Sequence, residues 1–196
     1  VADADNTYFL AWTTTPWTLC ANRAVAVNKD LDYSIVEIEG LPEDRPQRLV
    51  IAGELLEKLE EKFGLSFRLI SSMKGEELEG LKYRHPFEAH LIQPVVIGGD
   101  YITTESGTGL VHTAPGHGQE DFAVGVKYDL EVFSPVDESG TFTKEAGQFS
   151  GLKVLSDGNK AVLSELETRG LLLKQEPYQH KYPYDWRTKK PIIFRA

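Results

Sequence analysis

The sequence predicts an α+β protein: a β-barrel-like core, closed or nearly closed, with a few peripheral helices. Two observations carry that expectation. Short runs rich in Val, Ile, Tyr, Phe and Thr dominate the chain. Three other segments carry apolar residues at helical spacing, with no regular strand–helix alternation between them. The expected strands are 7–14, 33–38, 48–52, 66–70, 93–98 and 109–113, most of them bounded by Gly, Pro or Asp clusters. A Ser-Gly pair inside 137–142 predicts a hairpin turn.

The first expected helix covers 53–64, where Leu55, Leu56, Leu59 and Phe63 recur every three or four residues and Gly64 supplies a stop. The second, 118–130, has its acids in the first turn, where the helix dipole favours them. The third, 156–170, runs from a Ser or Asp cap through Val162, Leu163 and Leu166 to Gly170. No internal repeat and no low-complexity tract interrupts these elements.

The bulk properties narrow the classes of function. A chain of 196 residues, 41% hydrophobic and 26% charged, reads as a globular protein with a real core. No apolar run approaches the ~18 residues of a membrane-spanning helix. The opening VADADNTYF lacks the basic and apolar regions of a signal peptide. A start at Val1 and a stop within the apolar run IIFRA read as a piece cut from a longer protein. Cys20 is the only cysteine, so neither a disulfide framework nor a Cys-rich zinc site is available, which fits a reducing compartment. The net charge of −9 is unlike that of a freestanding nucleic-acid binder, so any RNA contact is expected to be local and weak. The stretch HKYPYDWRTKKPIIFRA is the exception: Lys181, Arg187, Lys189 and Lys190 alternate with Tyr182, Tyr184 and Trp186. Beside a local RNA contact, its plainer reading is a solvated edge or a connector back into a parent protein.

Two motifs carry the chemistry. In WTTTPWTLCAN (12–22), a strand reading turns Thr13 and Thr15 to one face and Thr14 to the other, with Pro16 ending the pairing. Thr18 and Asn22 lie beyond the bend. Threonine hydroxyls donate and accept, so such a cluster can hold a water or a ribose hydroxyl; threonine runs also serve simply as strand edges. In GTGLVHTAPGHGQEDF (107–122), Gly107, Gly109, Gly116 and Gly118 permit positive φ or close approach of a ligand to the backbone. His112 sits on the strand. Asp121 sits in the first turn of the following helix, which is expected to keep it ionised and able to face a substrate ammonium. Each also has a plainer reading, as a core histidine and a helix-start acid.

A metal site would use His112, His117, Glu120 and Asp121. The two histidines are five apart across Pro115 and Gly116, however, and no regular element brings them together. No Gly-x-Ser-x-Gly nucleophile elbow is present. The residues therefore point to a polar pocket without a strong nucleophile, and no metal.

Together WTTTPWTLCANRAVAV and GTGLVHTAPGHGQEDF resemble the editing domain of isoleucyl-tRNA synthetases, the insertion called connective peptide 1. The final YPYDWRTKKPIIFRA resembles the segment where that insertion returns to the synthetase body. The likeness covers residues 7–196. Sister domains of valyl- and leucyl-tRNA synthetases carry Arg-Pro-Glu or Arg-Pro-Asp where this chain has Thr15-Pro16-Trp17, and usually lack a histidine matching His112. Cys20 replaces the family's common proline, and Asp185 stands where some members have cysteine.

The resemblance implies a single editing domain over 1–196, with 178–196 as the connector to the parent core. It implies hydrolysis of valine misattached to tRNA(Ile), and of valyl-adenylate as a second substrate. The partners are the tRNA(Ile) acceptor end and the rest of the synthetase, with no membrane. Asp121 would hold the α-ammonium. Thr13, Thr14 and Thr15, with Thr18 and Asn22, would hold the attacking water. His112 would exclude isoleucine, or orient the carbonyl or water. Trp12 and the backbone at Gly107, Gly109, Gly116 and Gly118 would meet the terminal adenosine. No cofactor is implied: ATP belongs to the catalytic core, whose His-Ile-Gly-His-like and Lys-Met-Ser-Lys-Ser-like signatures this sequence lacks. A cytoplasmic or organellar location follows. The competing reading is a module that docks the tRNA acceptor end but is inactive without its parent.

Overall fold

The computed structural model describes residues 6–179 and 183–196; Lys181 and Tyr182 of the basic stretch lie outside them. The chain divides into two compact units. The first comprises Val1–Thr13, Ala24–His112 and Glu167–Lys174, and the second Thr14–Arg23, Thr113–Leu166 and Gln175–Ala196.

The first unit holds two four-stranded sheets. One contains β1 (Thr7–Phe9), β3 (Asp32–Glu39), β4 (Arg48–Ala52) and β5 (Ser66–Lys74) in the order β1-β4-β3-β5. The other contains β2 (Ala24–Val27), β6 (Lys82–Arg84), β7 (Ile92–Ile97) and β8 (Leu110–Thr113) in the order β6-β7-β2-β8. The α+β class therefore holds, but the expected closure does not: among the described residues these are two small open sheets.

One apolar cluster joins residues of both sheets. Val36, Ile38, Leu49 and Ile51 come from the first sheet, and Val25, Val27, Val95 and Leu110 from the second. Helix α1 (Leu56–Phe63) adds Leu59 and ends at Gly64, where the sequence placed its stop. The short helix α2 (Gly75–Leu78), which hydrophobic periodicity missed, adds the fully buried Leu78. Strand β2 was also missed. Its four residues are all buried, so Ala24–Val27 lacks the alternation that marks a half-exposed strand. Strand β5 is longer than expected and carries a bulge: Ile35 faces Ser71 while Val36 faces Leu69, leaving Ile70 as the extra residue.

The largest departure from expectation is at 7–14. Strand β1 stops at Phe9, because its neighbour β4 takes another partner there. The Leu10 amide still bonds the Val50 carbonyl, but the next inward amide of β4, Ala52, bonds the Thr108 carbonyl at 2.9 Å. The Thr108 hydroxyl in turn donates to the Leu10 carbonyl at 2.5 Å. Residues 10–15 thus have no strand pairing, and the alternating faces expected for Thr13, Thr14 and Thr15 do not arise.

Thr108 can approach β4 only because Gly109 follows it. A Cβ on Gly109 would lie 2.4 Å from the Ala52 Cβ, and its φ of +81° is one that glycine alone adopts easily. The Gly109 carbonyl accepts a 2.6 Å hydrogen bond from the fully buried Tyr33 hydroxyl, which itself accepts from the Asn28 amide. Burial pushes the Tyr33 phenol up to about 12, with the Asn28 amide pulling the other way, so it stays a neutral donor.

The second unit contains a 3-10 helix (Pro16–Ala21), α3 (Gln119–Tyr128) and most of α4 (Asn159–Thr168). Helix α4 follows a π-type turn over Val154–Gly158 rather than starting at the expected cap. The predicted hairpin forms: the Asp137 amide bonds the Thr141 carbonyl and Gly140 takes a positive φ. In the C-terminal stretch, Asp185 accepts from the Arg187 and Thr188 amides and closes a tight turn beside the Tyr184–Pro191 bridge. Trp186 is 73% exposed at that turn.

Replacing Tyr33 by Phe removes the donor to Gly109 and leaves the Asn28 amide without its acceptor. The expected cost is about 1–3 kcal/mol of unfolding free energy in urea titrations. A loss below roughly 0.5 kcal/mol, the range of ordinary surface substitutions, would remove this bond from the account.

Candidate functional site

The candidate residues fall on both units, and each set has its own support. In the first unit, Trp12 is 43% exposed and Gly107 takes a φ of +74° with open space on its side-chain face. Gly109 is held as described above. His112 lies on β8 and is buried.

In the second unit, Thr15 precedes the 3-10 helix and Thr18 sits in its first turn, started by Pro16. Both the amide and the hydroxyl of Thr18 donate to the Thr15 carbonyl, at 3.0 and 2.9 Å. The two hydroxyls are 3.5 Å apart. The clustering expected of the threonines is therefore real for this pair, but a helical turn produces it and not a strand face. The helix is docked by its Trp17 amide, which bonds the Asn159 side chain at 3.1 Å.

The corner between β8 and α3 is built on close backbone contacts. The His117 amide closes a turn onto the Ala114 carbonyl. A Cβ on Gly116 would lie 2.2 Å from the Phe133 carbonyl oxygen, so that position excludes any larger residue without movement. Asp121 folds back across this corner: its Oδ2 accepts from the Ala114 amide at 2.8 Å. That contact uses one of the two carboxylate oxygens.

The electrostatics of Asp121 differ from the helix-start expectation. Burial pushes its carboxyl above the ordinary value, the Ala114 amide pulls it down, and neighbouring Glu120 pushes it up again. Desolvation is the largest of these influences.

Arg23 is a supporting residue that sequence reasoning missed. It is 7% exposed and ties both motifs together. Its amide bonds the Thr113 carbonyl at 2.9 Å, and its Nη1 donates to the Asn22 carbonyl at 2.8 Å. Its Nε pairs with Glu131 at 2.9 Å, and its guanidinium lies 4.1 Å from the Phe133 ring centre. The signal in the sequence was an arginine set directly before the apolar run AVAV, where a charge must find partners to be buried.

Among the described residues, no group of three or more His, Cys, Asp or Glu could hold a metal ion. No described helix is long and apolar enough to cross a membrane.

Comparison with known proteins bears on the whole chain. No family model matches it. It is 60% identical over 186 residues to an isoleucine–tRNA ligase of Gloeothece citriformis and 58% identical over 187 to one of Nostoc punctiforme. Each match covers 94% of this chain and 19% of the ligase. The chain is a relative of one segment of isoleucine–tRNA ligases. It spans about a fifth of their length.

Among solved structures it is similar to the connective peptide 1 domain named GlLeuRS-CP1, with a TM-score of 0.66 and 18% identity. That match covers 89% of this chain and 87% of the other. The editing domain of the cytosolic leucyl-tRNA synthetase of P. falciparum gives a TM-score of 0.60 at 12% identity, covering 84% and 78%. At such low identity the likeness is one of fold, and the fold is that of synthetase editing domains.

Two measurements test the supports of this segment. Arg23→Met keeps the apolar stem but leaves the Asn22 carbonyl and Phe133 without the guanidinium. It is expected to cost about 1–3 kcal/mol in chemical denaturation. Glu131→Gln, at an exposed position, is expected to cost less than about 1 kcal/mol; equal losses would mean that the ion pair is the support. Separately, a carbon-13 titration of the Asp121 carboxyl is expected to show a midpoint above 3.8. Because the folded form then holds its proton longer than the unfolded chain, this group's contribution to stability falls as pH rises between those two midpoints. A midpoint at or below 3.8 contradicts burial as the dominant influence.

Proposed function

We propose that this chain hydrolyses valine esterified to tRNA(Ile), as the proofreading segment of an isoleucyl-tRNA synthetase, with valyl-adenylate as a second substrate. The observation that carries this reading is the Asp121 carboxylate, folded across a glycine-rich corner within an editing-domain fold. The close ligase relatives support the isoleucine assignment.

The need for such a step is physical. One methylene is worth only about 1–3 kcal/mol in a hydrophobic pocket, isoleucine against valine being the standard worked case and not a value obtained from this chain. A second, smaller sieve removes what the first admits.

Asp121 pairs with the α-ammonium of valine through its charge, which fixes the ester. Thr14, Thr15 and Thr18, with Thr13 and Asn22, bind the attacking water by hydroxyl and amide contacts. No enzyme nucleophile is required: an aminoacyl ester is already activated, so positioning and electrostatics suffice. His112 is assigned to discrimination against isoleucine. Trp12 and the backbone of Gly107, Gly109, Gly116 and Gly118 are assigned to the terminal adenosine. The acceptor end of tRNA(Ile) and the remaining synthetase are the partners, in the cytoplasm or an organelle. The net charge of −9 favours delivery of the RNA by the rest of the synthetase, and a chain that docks but does not hydrolyse is the competing reading.

Hydrolysis of valyl- and isoleucyl-tRNA(Ile) by the purified chain tests the assignment. Selective loss of the valyl ester is expected; no loss of either ester favours the docking module. Asp121→Asn is the informative variant, because its amide oxygen can still accept from Ala114 while the charge is gone. It is expected to lower kcat/KM for valyl-tRNA by roughly 10- to 150-fold, equivalent to about 1.5–3 kcal/mol for a charged hydrogen bond. Unchanged turnover removes Asp121 from the reaction. His112→Ala is expected to begin hydrolysing isoleucyl-tRNA; continued sparing of that ester removes His112 from the sieve.

A further inference from the structure

Among the described residues, three polar side-chain atoms of the second unit are buried with no hydrogen-bonding partner: Trp17 Nε1, His117 Nε2 and Ser134 Oγ. Orphans of this kind are rare, because a buried donor or acceptor left unmade costs about 1–3 kcal/mol. Trp17 is only 3% exposed, so its indole N–H cannot be satisfied from bulk solvent.

Trp17 and Ser134 each lie against the Gly116–His117 segment. The Trp17 and His117 rings meet edge to face, with centres 4.9 Å apart at an angle of 77°. Ser134 packs on the residue before His117: a Cβ on Gly116 would lie 3.3 Å from the Ser134 Cβ.

Their hydrogen-bonding characters are complementary to a single kind of guest. His117 Nδ1 lies 2.8 Å from the Phe194 carbonyl oxygen, which can only accept, so Nδ1 carries the proton. Nε2 of the neutral ring is then an acceptor. Burial holds the imidazole below its ordinary value, with the Phe194 carbonyl opposing and nearby Arg195 reinforcing, so the neutral form persists. The set is one donor, one acceptor and one hydroxyl that serves as either. An anion would face the Nε2 lone pair, and a cation would face the indole N–H in the neighbourhood of Arg195. A neutral group that accepts once and donates once satisfies the set, and two to four polar partners are what a buried water requires.

We infer that Trp17 Nε1, His117 Nε2 and Ser134 Oγ form a binding site for one resident water molecule. The water accepts from the Trp17 indole and donates to His117 Nε2, with Ser134 as third partner. It thereby fixes His117 in the Nδ1–H tautomer, the form that bonds the Phe194 carbonyl. That bond and the Ala196 amide on the Gly116 carbonyl, at 3.0 Å, hold residues 194–196 against the corner that Asp121 closes. His117 is thus a positioning residue, and the site stands whether or not the hydrolytic reading holds.

High-resolution crystallography of the 196-residue chain, with nitrogen-15 NMR of His117, tests the inference. The expected result is one solvent peak within hydrogen-bonding distance of Trp17 Nε1 and His117 Nε2, and a His117 ring protonated on Nδ1 alone. In Trp17→Phe the peak is expected to be lost and the Nε2 resonance to move toward the protonated position. The milder Ser134→Ala is expected to retain the tautomer with a weakened peak, and serves if Trp17→Phe does not fold. Clear density without a solvent peak, the indole N–H resting on the imidazole face, would overturn the inference. So would an Nε2-protonated ring, or a peak present only when an adenosine hydroxyl is supplied.

Discussion

The Ala52 amide at the end of β4 can be satisfied by one carbonyl, and Thr108 supplies it. Much of the first unit follows from that choice. Strand β1 loses its partner beyond Val50, so the threonine-containing segment leaves the sheet. Thr108 must lie close enough to bond both Ala52 and Leu10, which leaves no room for a side chain at the next position. Gly109 is therefore a packing requirement as well as a backbone one, and Tyr33 satisfies the carbonyl that the tight path turns inward.

The second unit solves a related problem with side chains. The turn from β8 into α3 turns the Ala114 amide away from any strand partner, and Asp121 returns from the helix to accept it. The same carboxylate is the group assigned to the substrate ammonium, so one residue both closes the corner and supplies its charge. Its burial raises the carboxyl pKa, while backbone contacts, the Ala114 amide foremost, limit that rise. Arg23 provides the complementary support, spending its donors on the backbone at Asn22 and on Glu131 while its plane covers Phe133. The paired threonines likewise owe their proximity to the Pro16-initiated turn.

The site proposed for the second unit combines backbone geometry and neutral hydroxyls with one carboxylate that supplies the charge. Such a set suits a substrate that brings its own reactivity, as an aminoacyl ester does. The proposed delivery of RNA by the rest of the synthetase fits a segment of net charge −9 that spans a fifth of its ligase relatives.

Local chemistry was enough for much of this protein. Runs rich in Val, Ile and Tyr marked β3 and β4, helical spacing and Gly64 marked α1, and the Ser-Gly turn at 139–140 was legible, because neighbours in the chain decide those features. The two motifs also identified Thr15, Thr18 and Asp121 as side chains worth placing. Tertiary structure decided the rest. Whether 7–14 continued as a strand depended on Thr108, about a hundred residues away; whether Ala24–Val27 became a strand depended on β7, which pairs along its edge. Arg23 and the raised Asp121 carboxyl depended on which distant carbonyls, rings and amides the fold brought to them. Closure of a barrel was beyond the sequence for the same reason. It requires the outer strands to find one another, and strand patterning specifies a face, not the partner at its edge.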